Sequence, residues 1–388
     1  MIPLYGGHAV PQSWNMPLTA HAGLWFERFF DRYEGDWTVD SPRNDFLCSL
    51  IGQRSAQAGT QAGQGRVGSE RELHRQADAM AELTEQLSGR CFLLESTWHF
   101  ATGLGSPHPM ENSLLWHPIL GTPYLPGSAV KGLARAWLEL HDYDPAVRKR
   151  LFGSDDKDPR RATGDDSSPP LIAGEVIFFD ALPVEPVSLA IDTMTPHMGK
   201  WYEKGAARPG KPETTPGDWH APNPIIFLAA RRIILQFAVA PRTSAARPLV
   251  PLAVDALKAA LEHLGAGAKT AVGYGSFTEP RSVLARRVAE QRQQAREARR
   301  SARAFEQLSP NRKTIEGFRR QSQIPANRKA SSGAEFQRSL VECLRQAVEW
   351  PASEREELAE FAADFFRNFG SAKKKKEVKP LIRALREA

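Results

Sequence analysis

The sequence predicts an α+β protein built on an elaborated ferredoxin-like sheet with helices on one face, and three observations predict it. Segments with β-prone and helix-periodic character follow one another in the order β, α, β, β, then an insertion, then β, α, β. A polar stretch rich in Pro and Gly, residues 199–223, stands between two apolar runs, the pattern of a long excursion out of a sheet. No repeat of 20 to 50 residues is present, which argues against a solenoid.

The elements follow in chain order. Residues 1–90 add helices to the core, notably 24–33 and 70–87. Residues 91–100 are bulky and β-prone and form the first strand. Residues 129–141 carry Leu133, Ala134, Ala136, Trp137, Leu138 and Leu140 at a helical period. Residues 174–180, 188–192, 225–229 and 232–239 read as strands, 252–264 as a helix and 270–277 as a short last strand. Two polar stretches, 52–68 and 153–170, read as flexible loops that cannot order on their own. The predicted domains are therefore a helical N-terminal region at 1–90, a sheet core at 91–280 and a basic helical extension at 281–388. In that extension 283–308 is an Arg- and Gln-rich helix, and 336–350 and 355–369 are amphipathic.

Charge is divided unevenly. The 388 residues contain 51 Lys+Arg and 45 Asp+Glu. Residues 281–388 hold 25 and 14 of these, a net of +11, which leaves the first 280 at −5. Lys373 to Lys376 form a lysine run that is either a solvated cluster or a polyanion contact. Cys48, Cys91 and Cys343 make no CxxC pair, which excludes a disulfide framework and a cysteine zinc site. Apolar runs such as 224–230 fall far short of the roughly 20 residues that span a bilayer. Residues 1–8 have neither a basic nor an apolar signal region, so a cytoplasmic protein with no membrane partner is expected.

The most informative segment is 121–135. Pro126 and Gly127 make a turn, and Ser128 is placed to cap the following helix. A capping box would put Glu or Gln at 131, where Lys131 instead opposes the helix dipole by about 0.3–1 kcal/mol. Arg135 lies one turn further on the same face. Backbone N–H groups, Lys131 and Arg135 together predict a phosphate cradle, against a plain turn with a surface cation.

Residues 265–275 resemble a nucleotide loop only superficially. A Walker loop needs Gly where His263 and Ala268 stand, and a dinucleotide fingerprint needs Gly where Thr270 stands. What remains is a turn whose Gly265, Gly267, Lys269, Thr270, Gly273 and Tyr274 approach a nucleic-acid backbone closely. Gly103 and Gly105 form a similar candidate directly after the first strand. Lys200, Trp201, Tyr202 and Trp219, with Lys204, Arg208 and Lys211, interleave rings and cations suited to stacking on exposed bases. His99, His108, His117, Asp180, Asp192 and His197 fall into no metal-ligand spacing, and no GxSxG elbow is present, so neither metal nor cofactor is expected.

Read together, these motifs resemble the RAMP (repeat-associated mysterious protein) superfamily of CRISPR effector subunits, and within it the sixth-subunit family of the type III-B Cmr complex. The resemblance is carried in order by 22–24, 103–109, 124–132, 176–183, 192–197, 223–228 and 265–275. It implies an RNA-recognition-like fold that binds the backbone of a guide (CRISPR) RNA, holds its 3′ portion and the guide–target RNA duplex, and sits among other Cmr subunits, especially the backbone RAMP subunit, in antiviral defence. It also implies a thumb-like insertion, for which 199–223 is the candidate, and a scaffolding subunit with no catalytic residue, because the neighbouring backbone subunit cuts the target. Residues 281–388 lie outside the resemblance. The competing reading is a metal-dependent endoribonuclease using Asp180, Asp192 or His197; a weaker one is metal-independent guide processing by His117.

Overall fold

The computed structural model describes residues 21–30, 33, 39, 46–48, 50–51, 65–154, 171–204, 210–211, 215–217, 219–329 and 333–387. Most of the two stretches read as flexible loops, 52–64 and 155–170, and Arg208 of the excursion lie outside the described residues. The protein is a mixed α+β chain that divides into two units, Met1–Ala289 and Glu290–Ala388.

In the first unit, every paired strand is antiparallel, and the described strands form two sheets. Helix α1 (Ala22–Arg28) precedes β1 (Gly65–Val67), α2 (Glu70–Gln86), β2 (Arg90–Ser96) and β3 (His99–Phe100). Then come α3 (Gly127–Leu140), α4 (Pro145–Phe152), β4 (Val176–Phe178), β5 (Leu182–Pro183), β6 (Val187–Met194) and α5 (Gly199–Lys204). They are followed by β7 (Ile225–Arg231), β8 (Ile234–Pro241), α6 (Leu249–His263) and β9 (Phe277–Thr278). One sheet has the order β4-β8-β2-β9, with β5 also on β8; the other has the order β1-β6-β7-β3. Omitting β5, the first is threaded β2, α3, β4, β8, α6, β9, and the second grows mainly from the connection between β4 and β8.

This corrects the expectation of one sheet. The β-prone run 91–100 serves both sheets, breaking at Thr97 and Trp98, and the run 225–239 breaks at Arg232 and Ile233, with Arg232 at φ 47°. The two breaks are clamped to each other. Ser96 Oγ donates to the Trp98 carbonyl at 2.8 Å and accepts from the Ile233 N–H at 3.0 Å, and the Ser96 N–H reaches the Ile233 carbonyl at 2.9 Å. Residues 270–277, predicted as a strand, form a 3-10 turn at Thr270–Val272, and only Phe277 and Thr278 pair in the sheet. Left-handed backbone at Lys269, Gly273 and Gly275 is incompatible with an extended strand.

Helices cover both faces of the β8 sheet, not one. Every residue of β8 is buried. Leu235, Phe237 and Val239 join Val130, Ala134 and Leu138 of α3 and Leu257 and Leu261 of α6 in the main core. On the opposite face, Ile234 packs with Ala77 of α2, Leu93, Val184, Ala285 and Val288, as the two-residue period of a strand requires. Gln236, on that face, donates to the Ala77 carbonyl at 2.8 Å and so keeps its polar group satisfied while buried. Helix α1 reaches the main core through Trp25 and Phe26. His21 starts it, with Nδ1 accepting from the Leu24 N–H at 2.8 Å.

In chain order the last helices are α7 (Val283–Glu306), α8 (Pro310–Ser322), α9 (Ala334–Gln346), α10 (Ala352–Phe369) and α11 (Ala372–Glu387). The unit boundary falls inside α7. Helices α8 to α11 have their own core: Ile315, Leu340, Leu344, Leu358 and Ala362 are fully buried, with Phe336, Phe365, Phe366, Val378 and Leu385 around them. The amphipathic faces at 336–350 and 355–369 thus find their apolar partners in one another. The lysine run opens α11, where Lys374 pairs with Glu377 at 2.8 Å and Lys375 donates to the Arg367 carbonyl in the last turn of α10 at 2.9 Å. No described helix is long and apolar enough to cross a membrane.

Candidate nucleic-acid interface

Helix α3 begins one residue before Ser128. Its N-cap is Pro126, with no side-chain cap bond, and Ser128 is exposed on the first turn, which corrects the predicted capping role. The cap comes from a residue 53 positions away: the Gly127 N–H donates to Asp180 Oδ1 at 2.6 Å. A carboxylate therefore already occupies the positive end of the helix, and the predicted cradle is reduced to its side chains. Lys131 is half-buried, and burial, together with the nearby charges of Arg135 and Arg242, pushes its ammonium below the ordinary lysine value. Arg135 donates to Glu139 at 2.8 Å. Gly127 itself is there for packing, since a Cβ would stand 2.5 Å from the Phe178 carbonyl.

The second patch brings the 265–275 loop onto residues 98–101 and β6. The Ala268 N–H donates to the Ala101 carbonyl at 2.7 Å, and the Gly275 N–H to the His99 carbonyl at 2.8 Å. Gly267, at φ 85°, lies so close that a Cβ would stand 2.2 Å from the Ala101 carbonyl, and Gly103 is similarly closed by Leu115. Gly105 and Gly273 have nothing within 4 Å of where a Cβ would stand and are the open glycines of this surface. Lys269 carries its ammonium over Phe227 and Tyr274, 5.3 and 6.0 Å from the ring centres. At Gly265, φ 75°, a Cβ would stand 3.1 Å from the Thr270 side chain.

Tyr274 is buried, and its hydroxyl donates to Asp192 Oδ2; His99 Nδ1 lies 3.2 Å from the same oxygen, and the Thr193 N–H donates to Asp192 Oδ1 at 2.8 Å. Burial works against the Asp192 charge, but these partners outweigh it and hold the carboxyl below its ordinary value of 3.8. Burial and the adjoining carboxylate push the Tyr274 phenol far above its ordinary range. The exposed ring here is Trp98, stacked on His99 with ring centres 4.7 Å apart and 46% accessible. Sequence reading misses this group because its members are 82 and 93 positions apart.

The sign of the Asp192 shift yields a prediction. A carboxyl held below its unfolded value stabilises the fold above that value, and the contribution is lost as pH falls through the lower folded value. Asp192→Asn is expected to cost about 1–3 kcal/mol at neutral pH, with the gap to wild type narrowing once pH drops below 3.8. Urea unfolding across pH measures it; a gap independent of pH contradicts a charge-assisted bond.

The excursion carries α5, on which Lys200, Trp201 and Tyr202 are all exposed, and Trp219 is exposed beyond it. Among the described residues Asp180, Asp192 and His197 do not gather into a group able to share one ion. His117 Nδ1 accepts from the Ile119 and Leu120 N–H groups at 3.3 and 3.1 Å and so holds its own turn. Burial lowers its proton affinity.

Comparison with known proteins adds four findings. Residues 91–278 match the family model of the RAMP superfamily. The CRISPR system Cmr subunit Cmr6 of Pyrococcus furiosus is 31% identical over 225 residues, covering 46% of this chain and 64% of that protein; the chain thus spans just under two thirds of the relative's length. Among solved structures, a cryo-EM structure of the type III-B Cmr-beta bound to cognate target RNA shares 19% identity at a TM-score of 0.41, covering 64% of this chain and 75% of that one. The crystal structure of Cmr6 from Pyrococcus furiosus shares 27% identity at a TM-score of 0.28, covering 49% and 97%.

Proposed function

We propose, starting from the RAMP superfamily match over residues 91–278 and the likeness to a Cmr6 subunit, that this chain is a non-catalytic RNA-binding subunit of a type III-B CRISPR ribonucleoprotein effector. In this reading it holds the 3′ portion of the guide RNA and the guide–target duplex in the cytoplasm, in contact with other Cmr subunits and above all the backbone RAMP subunit, in antiviral defence. The strand order β9-β2-β8-β4, threaded β-α-β-β-α-β, supports an elaborated ferredoxin-like, RNA-recognition-like fold. Residues 199–223 are its thumb-like insertion.

The observation that carries the RNA reading is the grouping of Lys131, Arg135 and Arg242. Burial already penalises the Lys131 charge, the nearby cations Arg135 and Arg242 disfavour it further, and a polyanion relieves that repulsion. The scaffolding role is supported by how the rival catalytic groups are engaged. Asp180 holds the α3 N-terminus, Asp192 accepts from Tyr274 and Thr193, and His117 supports a turn.

Lys131→Ala combined with Arg135→Ala is expected to weaken guide-RNA binding equally for every guide sequence, because phosphate contacts carry no base information. The log–log salt dependence of binding should become shallower by about one to two units. Filter binding of the reconstituted complex across a salt series checks this, and identical curves for wild type and variant sink the reading.

A further inference from the structure

Helix α2 and the connection from β5 to β6 bring Glu70, His74 and Glu185 together, and nothing in the RNA reading uses them. One ligand atom from each of the three lies within 4.8 Å of the other two. His74 Nε2 stands 2.9 Å from Glu185 Oε1, a residue 111 positions away. Glu70 and His74 are four residues apart on one helix, so they leave it from the same face.

The supports of these side chains are rigid. Val184, next to Glu185, is fully buried and packs with Ala77, which follows His74 by three residues on α2. The Val184 N–H donates to the Ile234 carbonyl at 3.2 Å, and Gln236 of the same strand donates to the Ala77 carbonyl. Both sides of the cluster are thereby tied to β8. The cluster also stays accessible, with the His74 side chain 36% and the Glu185 side chain 18% exposed.

We propose that Glu70, His74 and Glu185 form a binding site for a divalent transition-metal ion of the zinc class. One imidazole nitrogen with two carboxylate oxygens is a donor set that zinc accepts, whereas magnesium and calcium favour all-oxygen sites. Three protein ligands leave a coordination position for water. The ion would staple α2 to the β5–β6 connection on the face of the sheet opposite α3 and α6.

The test is calorimetric titration of the chelator-stripped full chain with Zn²⁺, alongside Glu70→Gln, His74→Gln and Glu185→Gln variants. The expected result is one equivalent bound by wild type, an affinity at least about tenfold weaker in each variant, and a raised melting temperature on binding only in wild type. Glu70 and His74 are accessible, so their variants are expected to melt close to metal-free wild type, and that control separates loss of metal from loss of fold. Absence of binding, equal Zn²⁺ affinity in wild type and all three variants, or full displacement by equimolar Mg²⁺ overturns the proposal.

Discussion

Gly267→Val is expected to lower the stability of the first unit by about 3 kcal/mol, which moves its melting transition down by roughly 6–12 °C. Two costs combine. The position needs φ 85°, which a β-branched residue strongly disfavours, and a Cβ there would stand 2.2 Å from the Ala101 carbonyl, where backbone cannot give way cheaply. The Ala268–Ala101 hydrogen bond depends on this approach and would be lost with it. A turn that instead approached a nucleic-acid backbone would give an assembly defect with little change in melting, and the two cases are not told apart in sequence, because a glycine that approaches a ligand and a glycine that approaches its own chain look alike there. The contrast is Gly273→Ala, at φ 94° with open space around it, expected to cost about 1 kcal/mol. That variant stays folded, so its RNA affinity reports on the loop directly. Thermal unfolding of both variants decides the matter, and a Gly267→Val protein that melts with wild type contradicts the close packing.

Expressed alone, residues 307–388 are expected to unfold cooperatively, and Leu340→Ala is expected to lower the midpoint of that transition sharply. A helical unit of this size has a stability of only about 4–12 kcal/mol. Removing a fully buried leucine side chain costs about 2–5 kcal/mol, a large part of that total. Circular dichroism melts of the segment and its variant measure the effect; a shallow, non-cooperative melt of the unmutated segment shows that its core needs a partner. In the whole chain the same substitution should leave the first unit's transition in place. Truncation is cleanest after Ala289, because Ala285 and Val288 pack with Ala77, Leu93, Val184 and Ile234. A cut at 280 would expose that cluster.

Several features are legible in sequence for identifiable reasons. The helical period of 129–141 reports the buried stripe Val130, Ala134 and Leu138, and the same period puts Lys131 and Arg135 on one face. The exposed rings at Trp201, Tyr202 and Trp219 are legible because a polar, Pro-rich surrounding offers large side chains no core. Glu70 and His74 are also visible as a four-residue spacing, but their third partner, Glu185, is not.

Local sequence by itself determined the α+β alternation, most element positions and the concentration of basic charge after residue 280, since hydrophobic period, turn chemistry and composition act over a few residues. Tertiary structure alone decided that 91–100 feeds two sheets, that Asp180 caps α3, and that Asp192 gathers Tyr274 and His99. It also decided that the amphipathic faces of the C-terminal helices satisfy one another. Each of those outcomes depends on which distant segments are brought together. A strand's two-residue alternation reads the same whether its neighbour lies in one sheet or the other, and a carboxylate carries no local mark of the N–H it will meet 53 residues away.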